Sequence, residues 1–345
     1  MHSELRRQWP ALLAAGSGVM LGLSAIPAFV LGVFAGPMTR EFGWSLGAYQ
    51  GGTLVFTLGI LLTSSTVGAL CDRHGARAVA LVGMPAGAIG VALLALTQPA
   101  PWTWWVLMFV AALLGSGTVP TVWTRMVNAL FERQRGLALG LVLSGSGLFA
   151  LFGAPLANAL IEAWGWRGAW LGLALLPLTI GTAAVALWFR GDDRGTDRSS
   201  GADAAARTSP AAGSADAAVA GGGLTHHEAL RNYRFWVMAL GFAAVTVGVG
   251  GTNANFVPML VSKGFDAADA AKIFGTLGLA IAFGRLAIGA VLDRVWAPGL
   301  AAAILGLPAI SAWLLLGDDV TRGDALLAAA LLGCAQGAEY DFLAY

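Results

Sequence analysis

The chain has 345 residues, of which 57% are hydrophobic and only 11% are charged, and its mean hydropathy is +0.72. This composition is too apolar for a soluble globular protein and is typical of a chain that crosses a lipid bilayer. The formal net charge of +1 also argues against nucleic-acid binding, which requires a basic surface. The sequence therefore predicts a membrane protein whose first partner is the lipid bilayer.

Ten apolar segments are long enough to cross a bilayer core of about 30 Å. Numbered as spans 1 to 10, they cover residues 11–35, 48–70, 78–97, 104–127, 137–161, 168–189, 235–260, 270–292, 299–316 and 324–345. The interval between spans 6 and 7 is rich in Gly, Ala, Ser, Asp and Arg and has no periodic apolar face. We therefore predict an N-terminal six-helix bundle (1–189), a flexible cytoplasmic linker (190–231) and a C-terminal bundle of four helices (232–345).

The cationic residues outside the spans are distributed unevenly between the two sides of the membrane. If the N-terminus is cytoplasmic, thirteen of them lie inside and five outside. That bias satisfies the positive-inside rule in one direction only. We predict a multi-pass protein of the cell (inner) membrane with a cytoplasmic N-terminus and linker.

Several short patterns occur twice at a constant spacing. The matches, each 221 residues apart, are Asp72 with Asp293, Pro37 with Pro258 and Gly43 with Gly264. Repetition at one spacing indicates an internal duplication, and a duplicated apolar chain suggests a transporter. On this spacing the counterparts of spans 5 and 6 would bring a complete chain to roughly 410 residues, so we expect the sequence to be truncated after span 10.

The loop between spans 2 and 3 carries the pattern Gly-x-Leu-x-Asp-Arg-x-Gly-x-Arg. Together with six spans, a linker and a second set in parallel repeat, this pattern resembles the major facilitator superfamily. The resemblance implies an all-α membrane protein with the major facilitator fold, in which two six-helix repeats occur and the second is incomplete. It also implies a conformational latch at Gly68, Asp72, Arg73, Gly75 and Arg77, repeated at Gly289, Asp293 and Arg294.

In that family the loop aspartate braces the second helix against the eleventh. We therefore expect Asp72 to lack this partner here, because the sequence ends after span 10. Span 5, which is the corresponding support for Asp293, is present. The resemblance thus predicts an asymmetric pair of latches.

Further segments resemble the monocarboxylate and oxalate:formate transporter branch of this superfamily. They include Glu41-Phe-Gly-Trp-Ser45, Gly165-Trp-Arg167 and Gly284-Arg285. Members of the branch move small carboxylates, some with a proton and some by anion exchange. The resemblance therefore implies a small organic anion as substrate and a proton or a counter-anion as its coupled partner.

Polar residues inside the spans are the candidate site residues, because burying a charge in a membrane costs about 2.5 to 3.5 kcal/mol even on a lenient scale. Arg285 lies about 12 Å from the cytoplasmic end of span 8, near the midplane where such transporters bind substrate. Its guanidinium matches a carboxylate with two hydrogen bonds. Asn253 and Asn255, in span 7, are further candidate substrate contacts, although they could equally cap or kink the helix.

Glu339 and Arg125 are the candidate residues for proton coupling. Glu339 is expected at a depth similar to that of Arg285, so an anion that engages Arg285 would favour protonation of Glu339. The alternative for Glu339 is a static ion pair that aligns two helices. Arg125 lies near the end of span 4, where it could instead extend its side chain to the headgroups.

Three functional hypotheses remain at the sequence level. The first is a secondary active transporter that rocks two bundles around a midplane site. The second is a drug or metabolite efflux carrier of the same superfamily, and the third is a non-transporting membrane fragment or receptor. The sequence contains no phosphate-binding Gly-x-x-x-x-Gly-Lys-Ser/Thr loop and no clustered catalytic groups, and its histidines fall in polar loops or the N-terminal tail, so we expect no enzyme, cofactor or metal site.

Overall fold

A computed structural model describes residues 3–23, 25–131, 135–189, 233–291, 297–317 and 319–344. Within these ranges every long element is an α-helix. In chain order, α1 to α12 are Ser3–Leu21, Ile26–Phe42, Leu46–Leu93, Pro101–Gly115, Pro120–Leu130, Arg135–Leu176, Thr182–Trp188, Tyr233–Ser262, Ala267–Val291, Ala297–Leu305, Leu307–Leu316 and Arg322–Ala344. The predicted linker, 190–231, lies outside the described residues, so its boundaries stay a prediction.

Seven helical stretches in the described part are long and apolar enough to cross a membrane. Two of them, Leu46–Leu96 and Leu137–Trp188, have 51 and 52 residues. At 1.5 Å per residue each exceeds 70 Å, more than twice the thickness of the hydrocarbon core, which is about 30 Å. Each of these two stretches therefore contains two of the predicted spans.

Glycines with positive φ divide both of these long stretches. Gly75 has φ 79° and ψ 151°, and Gly165 has φ 68° and ψ 172°. A side chain in this region of φ is strained, whereas glycine adopts it without a steric penalty. Both glycines lie in the predicted gaps, 71–77 and 162–167, which confirms the boundaries between spans 2 and 3 and between spans 5 and 6.

Span 1 is broken where we expected a continuous helix. α2 begins at Ile26, and Pro27 in its first turn has no N–H to donate to the carbonyl of Leu23, which favours a helix start at this point. The backbone N–H of Leu23, in the break itself, donates to Thr118 Oγ1 at 2.9 Å. Thr118 itself lies in a break within span 4, just before Pro120. One threonine therefore stabilises two helix breaks.

Close backbone approach holds the N-terminal bundle together. A Cβ added at Gly59 would lie 2.7 Å from the Ala112 side chain, and one at Gly83 would lie 2.7 Å from the backbone of Gly117. The first contact joins α3 to α4, and the second joins α3 to the turn between α4 and α5. Small residues at helix contacts are typical of membrane bundles, where packing rather than the hydrophobic effect drives association.

The two bundles meet through α2 with α8 and α6 with α9. A Cβ added at Gly32 in α2 would lie 3.2 Å from the Ala254 carbonyl oxygen in α8. A Cβ at Gly147 in α6 would lie 3.0 Å from the Gly278 carbonyl oxygen in α9. All four residues lie in the central or outer parts of their helices, if the N-terminus is cytoplasmic.

A glycine seam joins α9 to α12 within the C-terminal bundle. A Cβ added at Gly284 would lie 2.6 Å from the Cys334 carbonyl oxygen, and one at Gly333 would lie 2.5 Å from the Leu277 carbonyl oxygen. Gly337 is packed still more tightly against the backbone of α9. Real Cβ atoms do not approach so closely, so these three glycines allow the two helices to touch along their backbones.

The repeat of 221 residues is visible in the loops that follow spans 1 and 7. Gly43 and its counterpart Gly264 both have positive φ, 67° and 91°. Two residues later, the Ser45 side chain accepts a hydrogen bond from Ala48 N, and the Asp266 side chain accepts one from Ala268 N. Equivalent positions thus end one helix and cap the next in both halves.

Candidate functional site

Polar side chains form two pairs across the otherwise apolar contact between α8 and α12. The Asn253 Nδ2 group donates to Gln336 Oε1 at 3.1 Å, and the Thr246 hydroxyl donates to Glu339 Oε1 at 2.5 Å. Residues seven apart on α8, and three apart on α12, lie on the same helix face. Asn253 and Glu339 are both buried. The pairs therefore place one carboxylate and two amides inside the bundle.

Arg285 lies in α9 beside the same turn of α12. Its side chain is buried, and a Cβ added at Gly337 would lie 3.0 Å from the Arg285 backbone nitrogen. Gly337 precedes Glu339 by two residues, which is a rise of about 3 Å along the helix. Arg285 and Glu339 consequently lie at similar depths on neighbouring helices, as the sequence predicted. Their proposed roles remain predictions.

Asn255 occupies a different environment from Asn253. Its Oδ1 accepts a hydrogen bond from Gln50 Nε2 at 3.1 Å, and its Nδ2 donates to the Gly251 carbonyl at 2.8 Å. Gln50 belongs to α3, so this contact joins the two bundles. Residues two apart on a helix are rotated by about 200°, which explains why Asn253 faces α12 while Asn255 faces α3. The structure does not bring these two predicted contacts together.

Arg125 in α5 forms an ion pair with Asp72, which lies in α3 three residues before the break at Gly75. Both side chains are largely exposed. The sequence predicts for Arg125 either proton coupling or an extension to the headgroups, and it predicts that Asp72 lacks its partner in the other bundle. The structure pairs the two residues within the N-terminal bundle, which connects Arg125 to the latch segment, and its role in proton coupling stays a prediction.

The remaining latch residues surround the turn between spans 2 and 3. Gly75 makes the chain reversal through its positive φ. A Cβ at Gly68 would lie 3.8 Å from Arg125 Nη2, in ordinary contact, so Gly68 lies beside the ion pair. Arg73 is exposed and Arg77 is half-buried. In the repeated copy Gly289 lies in α9, whereas Asp293 and Arg294 lie outside the described residues.

Two of the predicted branch motifs contact each other at one end of the N-terminal bundle. The Glu41 carboxylate accepts hydrogen bonds from Trp166 Nε1 at 2.5 Å and from Arg167 Nη1 at 2.6 Å. The Arg167 guanidinium also lies 4.1 Å from the centre of the Trp166 ring. These contacts tie the end of α2 to the helix segment that follows Gly165. They indicate a structural role for the two motifs.

Three partners of the candidate site were missed by sequence reasoning. Thr246, Gln336 and Gln50 are uncharged, so they carry no cost of charge burial that would mark them within an apolar span. A usable signal was spacing, because Gln336 lies three residues before Glu339 and Thr246 lies seven before Asn253. Polar residues repeated on one face of an apolar helix indicate an inward-facing stripe.

An apolar groove of about 450 Å³ lies between α3 and α6, on the surface of the N-terminal bundle. Ala88, Trp164, Gly168 and Leu175 are among its lining residues. The lining residues are Ala, Gly, Ile, Leu and one Trp, and none of them is charged. It therefore differs chemically from the polar site between α8, α9 and α12.

The sequence of this chain is similar to those of known proteins. The family model of the Major Facilitator Superfamily matches residues 17–343. Human Monocarboxylate transporter 11 is 28% identical over 295 residues, covering 79% of this chain and 56% of that protein. The Gallate transporter of Pseudomonas putida is 25% identical over 294 residues, covering 77% of this chain and 62% of that protein. The chain thus spans little more than half the length of these curated relatives.

The fold also matches a solved membrane protein. The crystal structure of a bacterial homologue of the human lysosomal transporter Spinster, in an inward-facing and occupied conformation, superposes with a TM-score of 0.64. The two sequences are 19% identical, and the match covers 99% of this chain and 74% of the other. At this identity the likeness establishes the fold alone.

Proposed function

Because this chain belongs to the Major Facilitator Superfamily, we propose that it is a secondary transporter of a small organic anion. It is a multi-pass integral membrane protein, and its relatives are transporters rather than enzymes. The observation that carries the proposal is a buried arginine, Arg285, inside an apolar helix bundle. A permanent cation in such a place needs a functional or structural reason.

A monocarboxylate is the substrate class that Arg285 favours. The planar guanidinium presents paired N–H donors that match both oxygens of a carboxylate, and it stays charged at any physiological pH. Two relatives are named for such cargo, since one is a monocarboxylate transporter and gallate is itself a carboxylate. Both names belong to those proteins and support the proposal only by similarity.

Alternating access would proceed by separating the contacts between the bundles. In the present conformation α2 meets α8 at Gly32 and Ala254, and Gln50 bonds to Asn255 nearby. With the N-terminus and the linker in the cytoplasm of a cell-membrane protein, as we propose, this closure is on the outer side. Asn255 then acts in an outer gate, whereas Asn253 remains a candidate substrate contact.

Glu339 is the residue we assign to coupling. It accepts a hydrogen bond from Thr246 and lies at the depth of Arg285. An anion bound at Arg285 would offset the positive charge that favours the ionised carboxyl group, and would thereby favour its protonation. Coupling to a proton requires this carboxyl group, whereas anion exchange requires only the cation.

Uptake into proteoliposomes tests the anion site. We expect Arg285→Ala to lower the uptake of labelled propionate by about 100-fold or more, because two charge-assisted hydrogen bonds are lost. Arg322→Gln is the control, since Arg322 is an exposed arginine at the start of α12 paired with Asp269. Propionate uptake that survives Arg285→Ala at the wild-type rate would rule out the site.

Substitution of Glu339 tests coupling separately. We expect Glu339→Gln to abolish the stimulation of uptake by an inward proton gradient while leaving propionate exchange intact, because glutamine keeps the hydrogen-bond geometry but cannot titrate. The two fluxes are measured on the same vesicles. An equal loss of both would assign Glu339 a structural role.

A further inference from the structure

Only one of the two polar atoms of the Asn253 amide has a hydrogen-bond partner among the described residues. Its Nδ2 donates to Gln336, but its Oδ1 is buried and has no hydrogen-bond partner among the residues the structure describes. Buried polar atoms in folded proteins are paired as a rule, and an exception calls for an explanation. A bound molecule that supplies a donor is one such explanation.

The amide pair has the same capacity whichever way its two amides are turned. Each primary amide carries one carbonyl oxygen and one NH₂ group. When Asn253 and Gln336 share a single hydrogen bond, one oxygen and at least one N–H remain for a third group. A hydroxyl group both donates and accepts, so it satisfies both.

The amide pair lies next to the proposed anion site. Gln336 directly precedes Gly337, which packs against the backbone of Arg285. A substrate with its carboxylate at Arg285 could therefore place a substituent near Asn253. We propose that the Asn253–Gln336 pair selects carboxylates that carry a hydroxyl group, an inference that rests on the proposed function.

Matched substrate pairs test this selection. Lactate and propionate differ by one hydroxyl group, as do 4-hydroxybenzoate and benzoate. In competition against labelled propionate in proteoliposomes, we expect the wild-type chain to prefer each hydroxylated member by about tenfold, which is typical of one buried hydrogen bond to an otherwise unpaired group. Asn253→Leu should bring the ratio close to one.

The chain offers a matched control for this variant. Asn158 in α6 is as buried as Asn253, with 7% of each side chain exposed, and it donates to Glu162 at 2.6 Å within its own helix. Asn158→Leu should leave the substrate ratio unchanged. Gln336→Met, which removes the other amide at similar length, should lower the ratio even if Asn253→Leu fails to fold, as judged by size-exclusion chromatography.

The outcomes separate the two proposals. If propionate is carried and the wild-type ratio is one, or the ratio persists in both amide variants, the amide pair does not select hydroxyl groups. The proposed function would then stand. If neither member of either pair is carried, the proposed function fails and the selection fails with it.

Discussion

Equivalent positions in the two halves differ sharply in burial. Ile26 in α2 is 1% exposed, whereas Val247, its counterpart 221 residues later in α8, is 75% exposed. Val19 and Leu240 show the same contrast, at 2% and 67%. The side chains are alike, so the difference comes from their neighbours. The first helix of the N-terminal bundle packs against α6 and α7, whereas α8 contacts α9, α11 and α12 within its own bundle.

The conformations of the turns and caps, unlike burial, do not depend on the neighbouring helices. The turn glycines Gly43 and Gly264 both have positive φ, and the capping residues Ser45 and Asp266 each accept a hydrogen bond from an N–H in the first turn of the next helix. Turn and cap conformations are set by a few adjacent residues. Local structure therefore repeats with the sequence, while burial repeats only where the surrounding helices do.

The largest expected effect concerns burial. Ile26→Ala should lower the free energy of unfolding by about 2 kcal/mol or more, because it leaves a cavity that the packed bundle cannot fill. Val247→Ala should change it by less than about 0.5 kcal/mol, since the side chain is exposed. Unfolding of the purified variants by SDS in micelles measures both, and equal effects would refute the contrast between the halves.

A smaller and symmetric effect is expected at the turn glycines. Gly43→Ala and Gly264→Ala should each destabilise the protein by about 1 to 2 kcal/mol, because an alanine side chain is strained at positive φ. Gly140→Ala serves as the control, since a Cβ there meets no atom within 4 Å and its φ is not positive. Thermal unfolding in detergent compares the three variants. A twofold or greater difference between the two turn variants would break the symmetry.

The smallest effect is expected at the helix caps. Ser45→Ala and Asp266→Ala each remove one side-chain acceptor from a helix N-terminus, which is worth about 1 kcal/mol in exposed helices. Ser45→Asp should retain the cap, because aspartate accepts the same hydrogen bond. Hydrogen exchange at Ala48 and Ala268 reports local fraying directly. Unchanged protection in both alanine variants would show that the caps are redundant.

Hydropathy and repeats predicted much of the fold, including the breaks at Gly75 and Gly165. They did not predict the breaks at Pro27 and Pro120. A proline inside an apolar window hardly changes its hydropathy, so span length alone treats the segment as continuous. Proline lacks a backbone donor and favours a helix start, and Thr118 then accepts a hydrogen bond from the Leu23 N–H that the break leaves without a helical partner.

The candidate site was predicted from residues whose burial in a membrane costs free energy. Arg285, Glu339 and Asn253 are conspicuous in apolar spans, and the structure buries all three. Their partners could not be assigned, since the rotation of one helix relative to the next decides whether Thr246 meets Glu339 or lipid. Arg125 shows the same limit. Arg125 and Asp72 are both candidate residues in the sequence, but the sequence does not show that they contact each other.

The glycine seam between α9 and α12 has a consequence for how freely the chain can vary. Even one added methyl group at Gly284, Gly333 or Gly337 would overlap backbone atoms of the facing helix, which cannot move aside as a flexible side chain can. In a saturation mutagenesis screen scored by the yield of folded protein, these three positions should tolerate fewer substitutions than Arg285, where another long side chain would still occupy the volume. Folding thus constrains the backbone contact beside the site more strictly than it constrains Arg285, which transport constrains.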